Sequence, residues 1–213
     1  MTILFWETID TLQENQCNAK VTSIKTERLS YYMIESLMDR IKEILFTYPR
    51  VDTIVIEQQL SKNIKMKLLC QSIMACFQTL FAFMNSEHIE IDKEETKKMV
   101  KKIPKIIIQS SKCKLNVNLD RFDAKFRQFL EVKYPLKSKL SYAQKKNKAV
   151  DICHQFCSLY DSKWEQYFIK QRKKADLADA HLHAQYYLDK FPTHVVVGID
   201  VGIRTLAICK IHN

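Results

Sequence analysis

Only two glycines and four prolines punctuate the 213 residues. So few breakers argue against a chain of tight glycine turns and for long regular elements, mostly helical. The seven cysteines (Cys17, Cys70, Cys76, Cys113, Cys153, Cys157 and Cys209) form no CxxC pair and are odd in number. That pattern speaks against a disulfide framework and fits a reducing compartment. Cys70, Cys76, Cys153 and Cys157 fall in apolar helical patterns, where cysteine behaves as a small hydrophobe. His154 beside Cys153 does not make a zinc-ligand spacing. No run of about 18 apolar residues is apparent, so no segment is expected to span a bilayer. The opening MTILFWETI has neither the basic region nor the long apolar core of a secretory signal. No repeat and no Gly/Ser linker divides the chain, and one domain over residues 1–213 is expected.

What the chain has in excess is positive charge. Hydrophobic residues make up 46%, enough for a packed core, while 34 Lys and Arg against 24 Asp and Glu leave a net charge of +10. A basic domain of this kind implies a polyanionic partner, nucleic acid before acidic membrane. The excess is clustered: Lys97, Lys98, Lys101, Lys102 and Lys105; Lys112 and Lys114; Lys137, Lys139, Lys145, Lys146 and Lys148; Lys170, Arg172, Lys173 and Lys174. Any one cluster is equally a solvated helix face; four together favour a surface that tracks phosphates.

Periodicity predicts a strand over Ile3–Ile9, a polar connection over 10–25 and a helix over Ser30–Tyr48 ended by Pro49. The short apolar run at Val51–Ile56 reads as a strand buried on both faces. A long helix follows over Asn63–Met84, then a polar, lysine-rich helix within 86–103 and a strand over Lys105–Gln109. Residues 111–140 lack a strand pattern; Phe122, Phe126, Phe129 and Leu130 suggest an amphipathic turn or two. Helices are predicted over Tyr142–Tyr160 and Ala175–Leu188, and a β-hairpin over His194–His212 that turns at Ile203 and Arg204. Strands alternating with long helices indicate an α/β layered fold.

Three segments carry chemistry. Asp200 lies inside the apolar strand of GIDVG, where a charged carboxylate costs several kcal/mol unless something binds it. Gly202, two positions on, lets another backbone or a phosphate come close. Glu57 closes the strand IVIE and should project from the carboxyl end of a central strand, where α/β sheets place their sites. Asp176 and Asp179 are three apart at the start of a helix in KKADLADA, so they share a face. Each has a bland reading taken singly: a lone strand aspartate, a strand-capping glutamate, an acidic first helical turn. Together the four acids Asp200, Glu57, Asp176 and Asp179 suggest a site for two divalent ions about 4 Å apart, suited to phosphodiester hydrolysis. An all-oxygen ligand set suits Mg²⁺.

IVIEQQ, SYAQKKNKAVDICHQFC and KKADLADA resemble the corresponding segments of poxvirus-type Holliday junction resolvases, viral relatives of RuvC, and GIDVG with TLAICKI is similar to that family's opening hairpin. The resemblance covers about two thirds of the chain. It implies a ribonuclease-H-like mixed sheet flanked by helices, a homodimer, and paired nicks across four-way DNA junctions during recombination and repair. It also implies Mg²⁺ or Mn²⁺ dependence and, for a viral protein, a place in the host-cell cytoplasm or at the viral replication site. Asp200 then matches the first-strand aspartate, Glu57 the central-strand glutamate, and Asp176 and Asp179 the closing helix pair. Two features depart from the family. The aspartate hairpin comes last instead of first, so the chain reads as circularly permuted between the second and third strands. Residues 111–140 are longer than expected, an insertion that contacts DNA through Lys112, Lys114, Arg121, Lys125 and Arg127, helps dimerise through its phenylalanines, or has no such role.

For DNA contact the candidates are Lys145, Lys146, Lys148, Lys173 and Lys174 on phosphates, Tyr142 stacking on a base, and Gln59, beside Gln58, near the junction. His183, on the same helical face as Asp176, is a weaker candidate for proton transfer; His181 and His183 are more readily surface or packing residues. The expected function is structure-selective cutting of branched DNA. The alternatives are a nuclease of this fold acting on RNA or RNA–DNA hybrids, and a non-catalytic nucleic-acid-binding protein.

Overall fold

The computed structural model describes residues 1–10, 34–35, 51–58, 64–86, 103–135, 139–202 and 205–212. The helix expected over 30–48, apart from 34–35, and most of the lysine-rich segment 86–103 lie outside these residues, as does Gln59.

Among the described residues five strands form one sheet: β1 (Thr2–Asp10), β2 (Thr53–Gln58), β3 (Lys105–Ser110), β4 (Val195–Val201) and β5 (Thr205–His212), in the order β1-β5-β4-β2-β3. The pairs β1–β5 and β5–β4 are antiparallel, and β4–β2 and β2–β3 are parallel. The fold is therefore α/β with a mixed open sheet. Its central strand follows from VVVGIDV, a continuous apolar run that suits burial on both faces. Asp52 aligns the start of β2 with β4: its N–H donates to the Val195 carbonyl and its Oδ2 accepts from the Val195 N–H, both at 2.9 Å. Thr2 pairs with His212, so the first and last strands lie side by side.

One face of the sheet carries α1 (Ile64–Ser86), whose stripe Leu69, Ile73, Phe77 and Phe81 covers Ile54, Ile56, Val197, Ile199 and Ile208. Each of these fully buried side chains stabilises the fold by about 1.5–3 kcal/mol. By length and composition alone Ile64–Phe83 is apolar enough to cross a membrane, with mean hydropathy 1.3. This differs from the expectation that no segment would be; here the helix spends its apolar stripe on the sheet.

The other face carries α2 (Ala124–Lys133), α3 (Tyr142–Tyr160), α4 (Ser162–Lys170) and α5 (Lys174–Leu188). Ser141 and Gln144 close a capping box at the start of α3, each side chain satisfying the other's backbone N–H. The helix α4 was not foreseen. Asp161 both ends α3, donating its N–H to the Cys157 carbonyl, and begins α4, accepting from Lys163 and Trp164 N–H, so no glycine or proline marks the break. Two indoles fasten β1 to these helices: Trp6 Nε1 donates to the Leu177 carbonyl at 3.1 Å and Trp164 Nε1 to the Ile3 carbonyl at 2.7 Å. The helix α5 lies between sheet and outer helices and is buried along nearly its whole length, carrying the polar Asp179, His181, His183 and Gln185 into the interior.

The segment after β3 folds back onto this layer. Phe122 and Val117 are buried, and Phe122 meets Phe156 edge-on at 4.7 Å. Asp189, at the end of α5, accepts from Asn118 N–H at 2.7 Å and from Arg121 at 2.6 Å. Gln185, one turn earlier on α5, donates to the same carboxylate at 2.7 Å. Lys125 and Arg127, by contrast, stay exposed.

Candidate metal centre

Side chains alternate along β2 and β4, so Val55 and Val196 face the α5 layer while Ile54, Ile56, Val197 and Ile199 face α1. Glu57 and Asp200 continue the first set. Ile56 pairs with Ile199 in the parallel ladder, so these two acids stand side by side at the carboxyl ends of neighbouring strands. Asp179 comes down on them from α5. The helix reaches that depth because β4 carries Gly198 beneath it: a Cβ there would collide with the Ala180 carbonyl oxygen and press on Ala184 at 3.0 Å. Oxygens of Glu57, Asp179 and Asp200 all lie within 4.8 Å of one another.

Of the four acids read from the sequence, the structure thus brings three together. Asp176 lies a turn earlier on α5, half-buried, and its Oδ1 pairs with Lys146 of α3 at 3.3 Å. Two positively charged or polar partners support the triad, and neither was assigned that role from the sequence. Lys114 sets its ammonium 2.6 Å from Asp179 Oδ2 and 3.2 Å from Glu57 Oε2. His183, one turn after Asp179 and fully buried, places Nε2 3.3 Å from Glu57 Oε2. Gln109, which pairs with Glu57 in the β2–β3 ladder, donates Nε2 to His183 Nδ1 at 2.8 Å and to the His183 carbonyl at 3.3 Å. With Nδ1 accepting, the ring N–H belongs on Nε2, facing Glu57.

The electrostatics divide the acids. Burial alone would raise Glu57, but the His183 ring and the Lys114 ammonium outweigh it and hold its carboxyl at about 2. Burial raises Asp179, with Lys114 working against it. Burial and the neighbouring Glu57 and Asp179 push Asp200 upward, well above the usual carboxylate range. Like charges this close cannot all ionise without a cation.

The chain matches no protein-family model, no curated protein and no solved structure.

The donor set fits a hard divalent cation. It is all carboxylate oxygen, and the buried Asp179 Oδ1 has no hydrogen-bond partner among the described residues. The other candidates lie on α3 and at the start of α5. Tyr142 is 76% exposed, and Lys146 lies 5.6 Å over its ring. Lys145 and Lys173 are exposed, and Lys148 and Lys174 are half-buried.

His181 takes no part. It is fully buried, its Nδ1 3.5 Å from Cys209 Sγ and its ring between Trp6 and Phe156. Burial drives its pKa from 6.5 to about 3. The unfolded chain therefore takes up the proton first, and this site's stability contribution falls as pH drops from 6.5 towards 3. Between pH 7 and pH 5 His181 is expected to cost about 2 kcal/mol. Denaturant titrations at the two pH values should therefore give a flatter dependence, by about that amount, for His181→Leu. An unchanged difference would mean that the ring is not buried as described.

Proposed function

We propose that this protein is a divalent-metal-dependent endonuclease that resolves four-way and other branched DNA junctions. It is read as a circularly permuted, ribonuclease-H-like relative of the poxvirus-type resolvases. The observation that carries the reading is the convergence of Glu57, Asp179 and Asp200 at the carboxyl edge of two neighbouring parallel strands. These residues come from distant parts of a strongly basic chain. The antiparallel pairing of β1 with β5, with Thr2 opposite His212, is what the permuted reading requires of the second and third strands.

In this reading Glu57, Asp179 and Asp200 would hold Mg²⁺ or Mn²⁺, and Asp176, a turn earlier on α5, pairs with Lys146 instead. The bound ions supply the positive charge that makes water a nucleophile near neutral pH and balances the leaving oxygen. His183 orients the Glu57 carboxylate and is itself fixed by Gln109. Lys145, Lys148, Lys173 and Lys174 hold the DNA arms through their phosphates, and Tyr142 stacks on an unpaired base. Two copies acting as a homodimer would place two such sites on opposite strands.

The test is an end-labelled synthetic four-way junction incubated with the protein, with and without Mg²⁺ or Mn²⁺, against an equal-length RNA–DNA hybrid as competitor. Symmetric paired nicks that need the metal are expected, with junction binding that weakens steeply as salt rises. Binding without any cutting would favour the non-catalytic alternative, and preferential cutting of the hybrid would favour a ribonuclease.

A further inference from the structure

We infer that the Lys114 ammonium occupies the seat of the divalent ion, so that metal uptake is an exchange of one cation for another. The inference rests on the metal-site reading proposed above and adds to it a resident competitor. The ammonium is 2.6 Å from Asp179 Oδ2, 3.2 Å from Glu57 Oε2 and 3.4 Å from Glu57 Oε1. It thereby bridges the helix-borne and the strand-borne parts of the triad, which is the place a coordinating ion takes. An ordinary surface ion pair joins one acid to one base in water. Here one ammonium, 13% exposed, serves two buried carboxylates and lies in the field of a third.

Its backbone is not free to follow it. Lys114 sits in the single turn Cys113–Leu115, and the chain beyond is tied by Asn118 and Arg121 to Asp189 and by buried Val117 and Phe122 to the core. Only the flexible four-carbon stem can move, so withdrawal of the ammonium is a side-chain event that leaves the turn in place. While it remains, one unit of the negative charge on Glu57 and Asp179 is offset and a divalent ion must displace the ammonium, so the triad binds metal more weakly than its acids alone would. A molecule without metal gains in return, because the ammonium keeps buried like charges from repelling one another.

Mn²⁺ binding, followed by electron paramagnetic resonance on the DNA-free protein, separates the outcomes. Lys114→Met is expected to bind Mn²⁺ at least about tenfold more tightly than the wild type, because a unit charge at contact distance is removed. It should also melt lower without metal and recover with it. Equal or weaker Mn²⁺ binding by Lys114→Met overturns the inference and leaves the metal site standing. If neither protein binds Mn²⁺, the metal reading fails and takes this inference with it. A measurement on the wild type removes any dependence on the variant's folding. Acylation of lysine amines, mapped by peptide, should spare Lys114 without metal and modify it several-fold faster at saturating Mn²⁺. The exposed Lys112 serves as the unchanged reference. A Lys114 reactivity that Mn²⁺ does not move overturns the exchange.

Discussion

Asp200→Asn is expected to lower metal-dependent junction cutting by on the order of 10³-fold or more, because loss of an anionic ligand removes several kcal/mol of transition-state stabilisation. Binding of the junction should be unchanged or tighter, since a negative charge near phosphate is gone. The fold should survive intact. Burial and the neighbouring Glu57 and Asp179 disfavour the charged form of Asp200, so an uncharged amide of the same shape fits the same place in the metal-free molecule. Single-turnover cleavage, a junction-binding titration and a thermal melt on the same preparation check the three parts. Normal cutting by this variant would remove Asp200 from the site.

Gly198→Ala is expected to be the most damaging small substitution for stability, costing about 3 kcal/mol. Glycine is needed here for space. The added Cβ would strike the Ala180 carbonyl oxygen, a backbone atom in the middle of a buried helix, with Ala184 directly behind it. Neither can yield without lifting α5 from β4, and α5 packs against α3 and α4 on its far side. Asp179 is the residue next to Ala180, so the same displacement moves one ligand away from the other two. Cutting by Gly198→Ala should therefore fall further than its unfolded fraction explains, when assayed at a temperature where the melt shows it folded. A variant that melts with the wild type would contradict the close approach.

Much of this layout was legible in the sequence because it is written in short-range pattern. The continuous apolar run around Gly198 marks a strand covered on both faces, and Glu57 at the end of IVIE marks where a neighbouring strand stops. The spacing of Asp176 and Asp179 put them on one face of α5, and from these positions the meeting of Glu57, Asp179 and Asp200 could be expected. What stayed hidden depends on partners far apart in the chain. Lys114 finds Glu57 across 57 positions, from a segment without strand or helix periodicity, and nothing local separates it from the solvated Lys112. Gln109 gains its role only from the register that sets it beside Glu57 and from the histidine above. Lys146, expected on phosphate, already has Asp176 as its partner, which removes that acid from the three that converge. The break between α3 and α4 was invisible because one aspartate serves both helix ends.

The clasp at Asp189 has a mechanical consequence. It mounts the turn that carries Lys114 on the far end of α5, the helix that also carries Asp179. Glu57 and Asp200, by contrast, ride on the sheet. The centre is thus built as two jaws, one bearing an acid and the ammonium and the other bearing two acids. The spacing of the jaws is set where Ala180 rests on Gly198, so the width of the centre is fixed by a missing side chain.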